Sequence, residues 1–395
     1  MIKTSIHWHP KIVSPAVMAL SPWVFVLLLY SLRATTNWVP IPNQVTGLFI
    51  TVAAGMLLIQ AFISSLKRTP INGCRSLNFF ILNKYIRYIG LLWILSTIFE
   101  IAYSGGLPLI WAFNGSDKDY TNFGIPSLHG VLNGLYFFLI GGIAINYLMQ
   151  PTTYTKWYLI ALICWPVLML GRGILLTSLI QLLILYLFIR GMKLTVFAKA
   201  IAVGLIAVVG FGIIGDIRGR ESPFRYLVAE QYKTTFEALP SGFLWIYVYA
   251  TSPLANYVFN AGTVQPVGQF AYSSVNLVPS LLRTDALERA DNFEFVDQSL
   301  NVSTIFASSH SDFGYLGDAF LSCLLIAYSF YWYTKLLSSP IYILPYSMIC
   351  AVLIFSTFYN LFLLYPYLFS TIVQAFIAGR CVHSTSRANF IPSRL

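Results

Sequence analysis

The residues best suited to chemistry in this chain are arginines at the edges of long apolar stretches. Arg172 stands between two glycines and between two apolar runs, and a cation at membrane depth is costly unless an anion pairs with it. Arg218, Arg220 and Arg225 lie within eight residues of one another, and such guanidinium groups suit bidentate binding of a pyrophosphate. The pattern predicts an anion site at a membrane boundary. Snorkelling or an ion pair with Glu100 remains open for Arg172, and a solvated basic patch for the later cluster.

Two histidines are candidates for a general base, because a neutral imidazole accepts a proton near pH 7. His310 precedes a long apolar run and is followed by Asp312, and His129 lies at the entrance of another such run. Asp119 is a further carboxylate that could act as a base. For each histidine, a helix-capping or packing role is an equally good interpretation.

The elements that must position these residues are apolar segments. A soluble domain carries about 25% charged residues, whereas this chain of 395 residues is 10% charged and 57% hydrophobic. This balance excludes a soluble or disordered chain, and five cysteines are too few for a disulfide scaffold. The sequence therefore predicts an all-α, polytopic membrane protein with about ten transmembrane helices. The predicted spans are 15–32, 45–66, 87–104, 128–149, 157–171, 173–190, 195–215, 314–334, 341–359 and 362–379.

The charge distribution predicts how these spans are oriented. Basic residues collect in the loops on one side of the spans, and the 14 acidic residues collect on the other. Since Lys and Arg accumulate in cytoplasmic loops, both termini are predicted to be cytoplasmic. The net charge of +10 then reflects membrane topology and not nucleic-acid binding.

Three parts of the chain follow from this topology. Residues 1–215 form seven spans with a short external loop at 105–127, residues 216–313 form a large external loop, and residues 314–395 form three spans and a cytoplasmic tail. The semi-apolar segment 239–259 is predicted to be an interfacial helix, with an eleventh span as the alternative.

Several short motifs, in this order and topology, resemble those of Wzy-type oligosaccharide repeat-unit polymerases. These enzymes build bacterial O-antigens and are related to O-antigen ligases. The motifs are Asp119-Tyr-Thr-Asn-Phe-Gly-Ile-Pro-Ser-Leu-His-Gly, the Gly-Arg-Gly turn at Arg172, Gly215-Asp-Ile-Arg, Tyr249-Ala-Thr-Ser-Pro-Leu-Ala-Asn, Asn301-Val-Ser-Thr and Asp312-Phe-Gly-Tyr-Leu-Gly. One departure is the loop at 105–127, which is short and contains Lys118 as its single basic residue, where many such polymerases have a second large loop with arginines.

The resemblance implies a metal-independent, inverting glycosyltransferase of the membrane-embedded class C type. It would polymerise undecaprenyl-pyrophosphate-linked repeat units at the periplasmic face of the bacterial inner membrane, without a cofactor, for lipopolysaccharide biosynthesis. The implied pyrophosphate ligands are Arg172, Arg218 and Arg225, and Arg220 is a further candidate. The implied base is His310, followed by Asp312, Asp119 and His129.

The partners implied are the donor and acceptor lipid-linked glycans and the bilayer, with a chain-length regulator and a flippase as candidate protein partners. A lipid-linked oligosaccharide flippase or transporter is the main alternative, and it would need ionisable groups along a mid-membrane path. An O-antigen ligase differs only in its acceptor and remains open. A non-catalytic scaffold would not need an arginine at membrane depth, such as Arg172, together with a second arginine cluster.

Overall fold

The computed structural model describes residues 8–66, 78–118, 120–192, 224–283 and 293–388, with isolated positions at 195, 205 and 209. Within these residues the secondary structure is helical, apart from one isolated bridge between Thr35 and Val228. The predicted all-α class is therefore confirmed. The helices are α1 Pro15–Ser31, α2 Asn43–Ser65, α3 Phe79–Ser104, α4 Pro108–Phe113, α5 Leu128–Met149, α6 Thr153–Leu168, α7 Arg172–Arg190, α8 Lys233–Ala238, α9 Ser241–Thr263, α10 Tyr272–Val275, α11 Ala307–Ser338, α12 Ile343–Phe355 and α13 Tyr365–Ala388.

Five helical segments among the described residues are long and apolar enough to cross a membrane. They are α2, the run Phe79–Phe113 that joins α3 and α4, α5, α7 and α11. The helix α1 and the segment Pro340–Phe355 are apolar but shorter. The predicted span at 195–215 lies outside the described residues apart from the isolated positions. The long apolar helices fit a membrane protein, and the count of about ten spans stays a prediction.

The chain reverses direction at Arg172, as the sequence predicts. The helix α6 ends at Leu168 and α7 begins at Arg172, with Leu170 in the left-handed region at a φ of 53°. At the other end of α7, the guanidinium of Arg190 donates a hydrogen bond to the carbonyl of Leu148, close to where α6 starts. The two helices therefore form an antiparallel hairpin, with Arg172 at its turn.

Contacts between helix ends show which termini lie together. Asn146, near the end of α5, donates to Asn83, near the start of α3. The ring of Tyr85 on α3 contacts Phe376 at the middle of α13, one turn before Arg380, with centroids 6.3 Å apart. Tyr346, near the start of α12, donates to the carbonyl of Val13 just before α1.

The end of the bundle where these contacts lie is rich in basic residues, and we name it the basic end. It holds Lys84, Lys156, Arg190, Lys335 and Arg380. The acidic residues in the described part of the chain lie at or beyond the opposite helix termini, which we name the acidic end. They are Glu100, Asp117, Glu230, Glu237, Glu294, Asp297, Asp312 and Asp318. The predicted separation of charge is present in these residues, and which end faces the cytoplasm stays a prediction.

The centre of the bundle is α5, which packs against α3, α6, α7 and α13. Two glycines let neighbouring helices approach its backbone. A Cβ atom at Gly134 would lie 2.6 Å from the Phe369 ring, and one at Gly141 would lie 2.7 Å from the amide nitrogen of Gln181. This close packing holds the start of α5, which carries His129, in a fixed place at the acidic end.

Candidate functional site

The first eight residues of α11 carry His310 and Asp312 and fold back on the rest of the helix. Gly314 has a φ of 59° and a ψ of −145°, a conformation that is costly for any residue with a side chain. A Cβ atom at Gly317 would overlap the carbonyl oxygen of Ser309 and lie 2.9 Å from its carbonyl carbon. In a straight helix, residues 310 and 318 would be about 12 Å apart along the axis. The two glycines therefore bring the side chains of His310 and Asp318 together.

The result is a buried histidine–aspartate pair. Nδ1 of His310 lies 2.6 Å from Oδ2 of Asp318, and these residues are 4% and 0% exposed. The hydroxyl of Tyr257 on α9 donates to the same oxygen at 2.8 Å, and the hydroxyl of Ser309 donates to Oδ1 at 2.9 Å. A carboxylate that fixes one imidazole nitrogen orients the ring, and such an arrangement is typical of a general base.

The rings around His310 limit its movement further. Tyr257 and Tyr315 both contact the imidazole edge-to-face, with centroids 5.7 Å and 5.0 Å away. Since Nδ1 faces Asp318, Nε2 lies on the other edge of the ring. Nε2 is therefore the ring nitrogen that Asp318 does not bind.

Asp312 has a different position from His310. It is fully buried, and its Oδ1 accepts hydrogen bonds from the amides of Ala271 and Tyr272 at 3.0 Å and 2.8 Å. Its Oδ2 accepts from the amide of Ser273 at 2.9 Å. Three backbone donors stabilise the charged carboxylate and attach the start of α10 to α11. This geometry favours a positioning role for Asp312 over the proton-transfer role predicted from the sequence.

A cavity of about 430 Å³ opens beside this part of α11, between α10, the start of α11 and the loop that joins α12 to α13. Its polar lining consists of amides and hydroxyls, from Asn276, Asn301, Asn360, Ser303, Thr304, Ser308 and Ser311. Its aromatic lining comes from Tyr272, Phe293, Phe295 and Tyr359. Amides and hydroxyls donate and accept hydrogen bonds without a charge, and aromatic faces present flat apolar surface. Such a lining suits a neutral, hydroxyl-rich ligand such as a sugar.

Hydrogen bonds between segments hold the cavity walls in place. Asn360 donates to the hydroxyl of Ser308 at 3.2 Å, and the amide of Tyr365 donates to the carbonyl of Asn276 at 3.0 Å. Ser308 and Ser311 face the cavity from α11, whereas His310 lies on the neighbouring face of the same turn and is directed to Asp318. The helix α11 therefore joins the cavity to the histidine–aspartate pair.

Arg283 brings a positive charge within electrostatic range of Tyr359, which lines this cavity. Its Nε donates to the carbonyl of Val278 at 3.1 Å. Tyr359 lies in the loop after α12, and the charge of Arg283 interacts with its hydroxyl. The proximity of this guanidinium to a cavity-lining side chain was missed in the sequence, because 76 residues separate the two positions.

Arg172 lies at the acidic end, as predicted, and is exposed at the first position of α7. Met169 in the preceding turn packs in a small cluster with Trp111 and Phe123. The ring of Phe123 contacts His129 edge-to-face, with centroids 5.6 Å apart. The turn that presents Arg172 is thus packed against the segment that leads into α5.

Glu100, which the sequence offered as a partner for Arg172, is bound by other groups. Its Oε2 lies 3.1 Å from Nδ1 of His129, and its Oε1 accepts from the amide of Ile125 at 3.2 Å. Gly124 has a φ of 96°, and a Cβ atom there would lie 2.8 Å from the His129 ring. His129 therefore forms a second histidine–carboxylate pair at the acidic end, and this contact fixes the entrance to α5.

Arg225 is exposed in a short 3₁₀ helix, Arg225–Leu227, at the same end. The preceding Phe224 contacts Trp245 and Tyr249 on α9, with centroids 4.6 Å and 6.0 Å away. Tyr249 stacks in turn on Phe358, the neighbour of the cavity residue Tyr359. Arg172, Arg225, His129, His310 and Asp312 thus share one end of the bundle. Asp119, Arg218 and Arg220 lie outside the described residues.

Comparison of this chain with protein-family models, with curated proteins and with solved structures gave no match. Within the ranges that the structure describes, no group of three or more His, Cys, Asp or Glu side chains could hold a metal ion. The resemblance to Wzy-type polymerases therefore stays a prediction from short motifs.

Proposed function

We propose that the protein is a membrane-embedded glycosyltransferase that polymerises polyprenyl-pyrophosphate-linked oligosaccharide repeat units. The observation that carries the proposal is the cavity at the acidic end, with its amide, hydroxyl and aromatic lining. It lies beside a helix turn that also carries His310, and Arg283 is within electrostatic range of the cavity residue Tyr359. A neutral sugar fits the lining, and a phosphate group fits the nearby guanidinium.

The reaction needs one bond to form and one to break. An acceptor hydroxyl attacks the anomeric carbon of the donor glycan from the face opposite the pyrophosphate, which inverts the configuration. The bond from this carbon to the pyrophosphate oxygen breaks, and the leaving group takes the electron pair. The hydroxyl proton passes to Nε2 of His310, because Nδ1 faces Asp318. Positioned arginines, among them Arg172 and Arg225, stabilise the charge that develops on the pyrophosphate.

The finer features of the proposal follow the resemblance. The chain crosses the bacterial inner membrane about ten times with both termini in the cytoplasm, and the acidic end faces the periplasm. The lipid carrier is undecaprenyl pyrophosphate, and the reaction uses neither a cofactor nor a divalent metal. Asp119, Arg218 and Arg220 join the site from the segments outside the described residues.

A flippase and an O-antigen ligase are the competing functions. The described ionisable side chains lie toward the two ends of the bundle, and the buried polar groups at the centre of α7 and α12 are neutral ones such as Gln181 and Ser347. This distribution favours chemistry at one end over a charged path through the membrane. The ligase has the same donor chemistry, and only the acceptor that is elongated distinguishes it.

The experiment tests the cavity with a variant that leaves the fold intact. Asn301 lines the cavity, is exposed, and makes no hydrogen bond with the described part of the chain, so Asn301→Ala removes one sugar contact only. Asn114, exposed in a different loop at the same end, gives the matched control Asn114→Ala. Purified variants are mixed with lipid-linked repeat units, and products are separated by length.

We expect Asn301→Ala to raise the KM for repeat units about fivefold or more, since a lost hydrogen bond to a ligand costs about 1 kcal/mol. Asn114→Ala should match the unmodified protein. Equal KM values for both variants would show that the cavity does not bind the repeat units. Elongation of lipid A core in place of repeat units would favour the ligase.

A further inference from the structure

A second concave surface lies at the basic end, on the outside of the bundle between α3 and α6. Its volume is about 600 Å³. The lining from α3 consists of Ile86, Arg87, Gly90, Leu91 and Ile94, and the lining from α6 of Thr153, Tyr154, Trp157 and Tyr158. Leu91 and Trp157 are 58% and 62% exposed, so the groove opens to the surroundings of the bundle and not to its core.

A glycine, Gly90, lies at the floor of the groove. A Cβ atom at Gly90 would lie 2.6 Å from the hydroxyl of Tyr158, so this hydroxyl lies directly against the backbone of α3. The backbone at Gly90 and the hydroxyl of Tyr158 lie between the walls that Leu91 and Trp157 provide. The groove therefore has side chains of both helices as its walls and the α3 backbone at Gly90 as its floor.

Polarity changes along the groove. Arg87 lies near the basic end of α3, and Ile94 lies seven residues further along the helix, which is about 10 Å deeper. Lys84 and Lys156 flank the polar end, where their ammonium groups lie 5.9 Å and 5.7 Å from the ring centroids of Tyr88 and Trp157. The acidic residues of the described chain are all at the opposite end of the bundle.

We propose that this groove binds one anionic phospholipid, with its phosphate at Arg87 and an acyl chain along Leu91 and Ile94. The cations at one end and the apolar walls beyond them match the two parts of such a lipid, and basic pockets between membrane helices on the cytoplasmic side bind anionic headgroups. Tyr154 and Trp157 suit the depth of the headgroup boundary. The proposal needs the protein to be in a membrane and does not depend on the glycosyltransferase reaction.

The test uses full-length protein in nanodiscs that contain equal amounts of phosphatidylglycerol and phosphatidylcholine. The lipids retained on the released protein are counted by native mass spectrometry. Arg87→Gln removes the phosphate contact, and Leu91→Trp fills the groove while it leaves every cation in place. Lys335→Gln is the matched control, because it removes one positive charge from the basic end on a different helix, α11.

We expect the unmodified protein and Lys335→Gln to retain one phosphatidylglycerol in preference to phosphatidylcholine. Arg87→Gln should lower its retention about fivefold, the factor that one basic residue at a lipid surface contributes. Leu91→Trp should lower it as well, and inorganic phosphate should not displace the lipid. Equal retention of both lipids, unchanged retention in Arg87→Gln, displacement by inorganic phosphate, or a protein dimer that Arg87→Gln dissociates would each overturn the proposal.

Discussion

Gly317→Ala is the substitution that tests most sharply how the histidine–aspartate pair is built. The added methyl would overlap the carbonyl oxygen of Ser309 and come within 2.9 Å of its carbonyl carbon. Both atoms belong to the backbone, so no side-chain rotation relieves the overlap. The segment before Gly314 must move away from the rest of α11, and this movement separates His310 and Ser309 from Asp318.

Two effects of this substitution lower the free energy of unfolding, and one smaller effect raises it. Overpacking of a tight site costs about 1–3 kcal/mol. A buried carboxylate that loses hydrogen-bond partners costs about 1–3 kcal/mol more. Alanine in a helix interior is favoured over glycine by about 0.5–1 kcal/mol. We therefore expect the free energy of unfolding to fall by about 1–5 kcal/mol, with loss of glycan polymerisation.

Gly379→Ala provides the matched control for this measurement. Gly379 lies inside the helix α13, and a Cβ atom there would have no neighbour within 4 Å, so the same substitution should be neutral or slightly stabilising. Unfolding of both purified variants in detergent is followed by intrinsic tryptophan fluorescence. If Gly317→Ala is as stable and active as Gly379→Ala, the kinked arrangement of α11 is refuted.

Four further results are expected, each with its own assay. Arg172→Ala should yield a folded, inserted protein that makes only single-repeat glycans, and a full-length ladder on a glycan gel would show that Arg172 does not act on the pyrophosphate. Gly314→Ala should destabilise the protein by about 1–3 kcal/mol in a denaturant titration, because its backbone conformation is costly for alanine. His310→Ala should lower kcat about 100-fold or more, and near-normal turnover would show that another residue is the general base. Asp318→Asn should lower kcat and leave KM unchanged. A chelator should leave ladder formation intact, and loss of activity that Mg²⁺ or Mn²⁺ restores would contradict a metal-independent reaction.

The fold was predictable where an apolar run ends at a clear polar boundary. The predicted span 128–149 coincides with α5, and the reversal at Arg172 follows from the charged residues on both sides of the hairpin. The helix α11 begins at Ala307, seven residues before the predicted span, because the polar side chains of this turn find buried partners such as Asp318. Such tertiary partners cannot be read from hydropathy.

The interfacial segment shows a second limit of sequence reasoning. The helix α9 continues through Pro253 from Ser241 to Thr263, although the sequence suggests a break there. Asn256 and Asn260 are fully buried and bind backbone groups of the loop around Glu294 and Leu300. A helix with these buried amides packs on a protein loop, and it is not among the helices apolar enough to span a membrane.

For the site, the sequence supplied the reactive residue types but not their partners. His310 and Asp312 were named from the motif that contains them, whereas Asp318, Tyr257 and Arg283 were not. The signal that could have identified Asp318 is the spacing of Gly314 and Gly317, since two glycines in one helix turn permit a sharp bend. The cavity itself brings together segments from α10, α11 and the loop after α12, and only a folded chain shows that they meet.

Release of polyprenyl pyrophosphate during the reaction tests the proposed glycosyl transfer most directly. Purified protein is incubated with lipid-linked repeat units without divalent metal, and both the new glycosidic bonds and the freed lipid pyrophosphate are quantified. We expect one lipid pyrophosphate to be released for each bond formed, with the configuration at the anomeric carbon inverted. Repeat units that remain intact, or that cross a vesicle membrane without any bond formed, would contradict it.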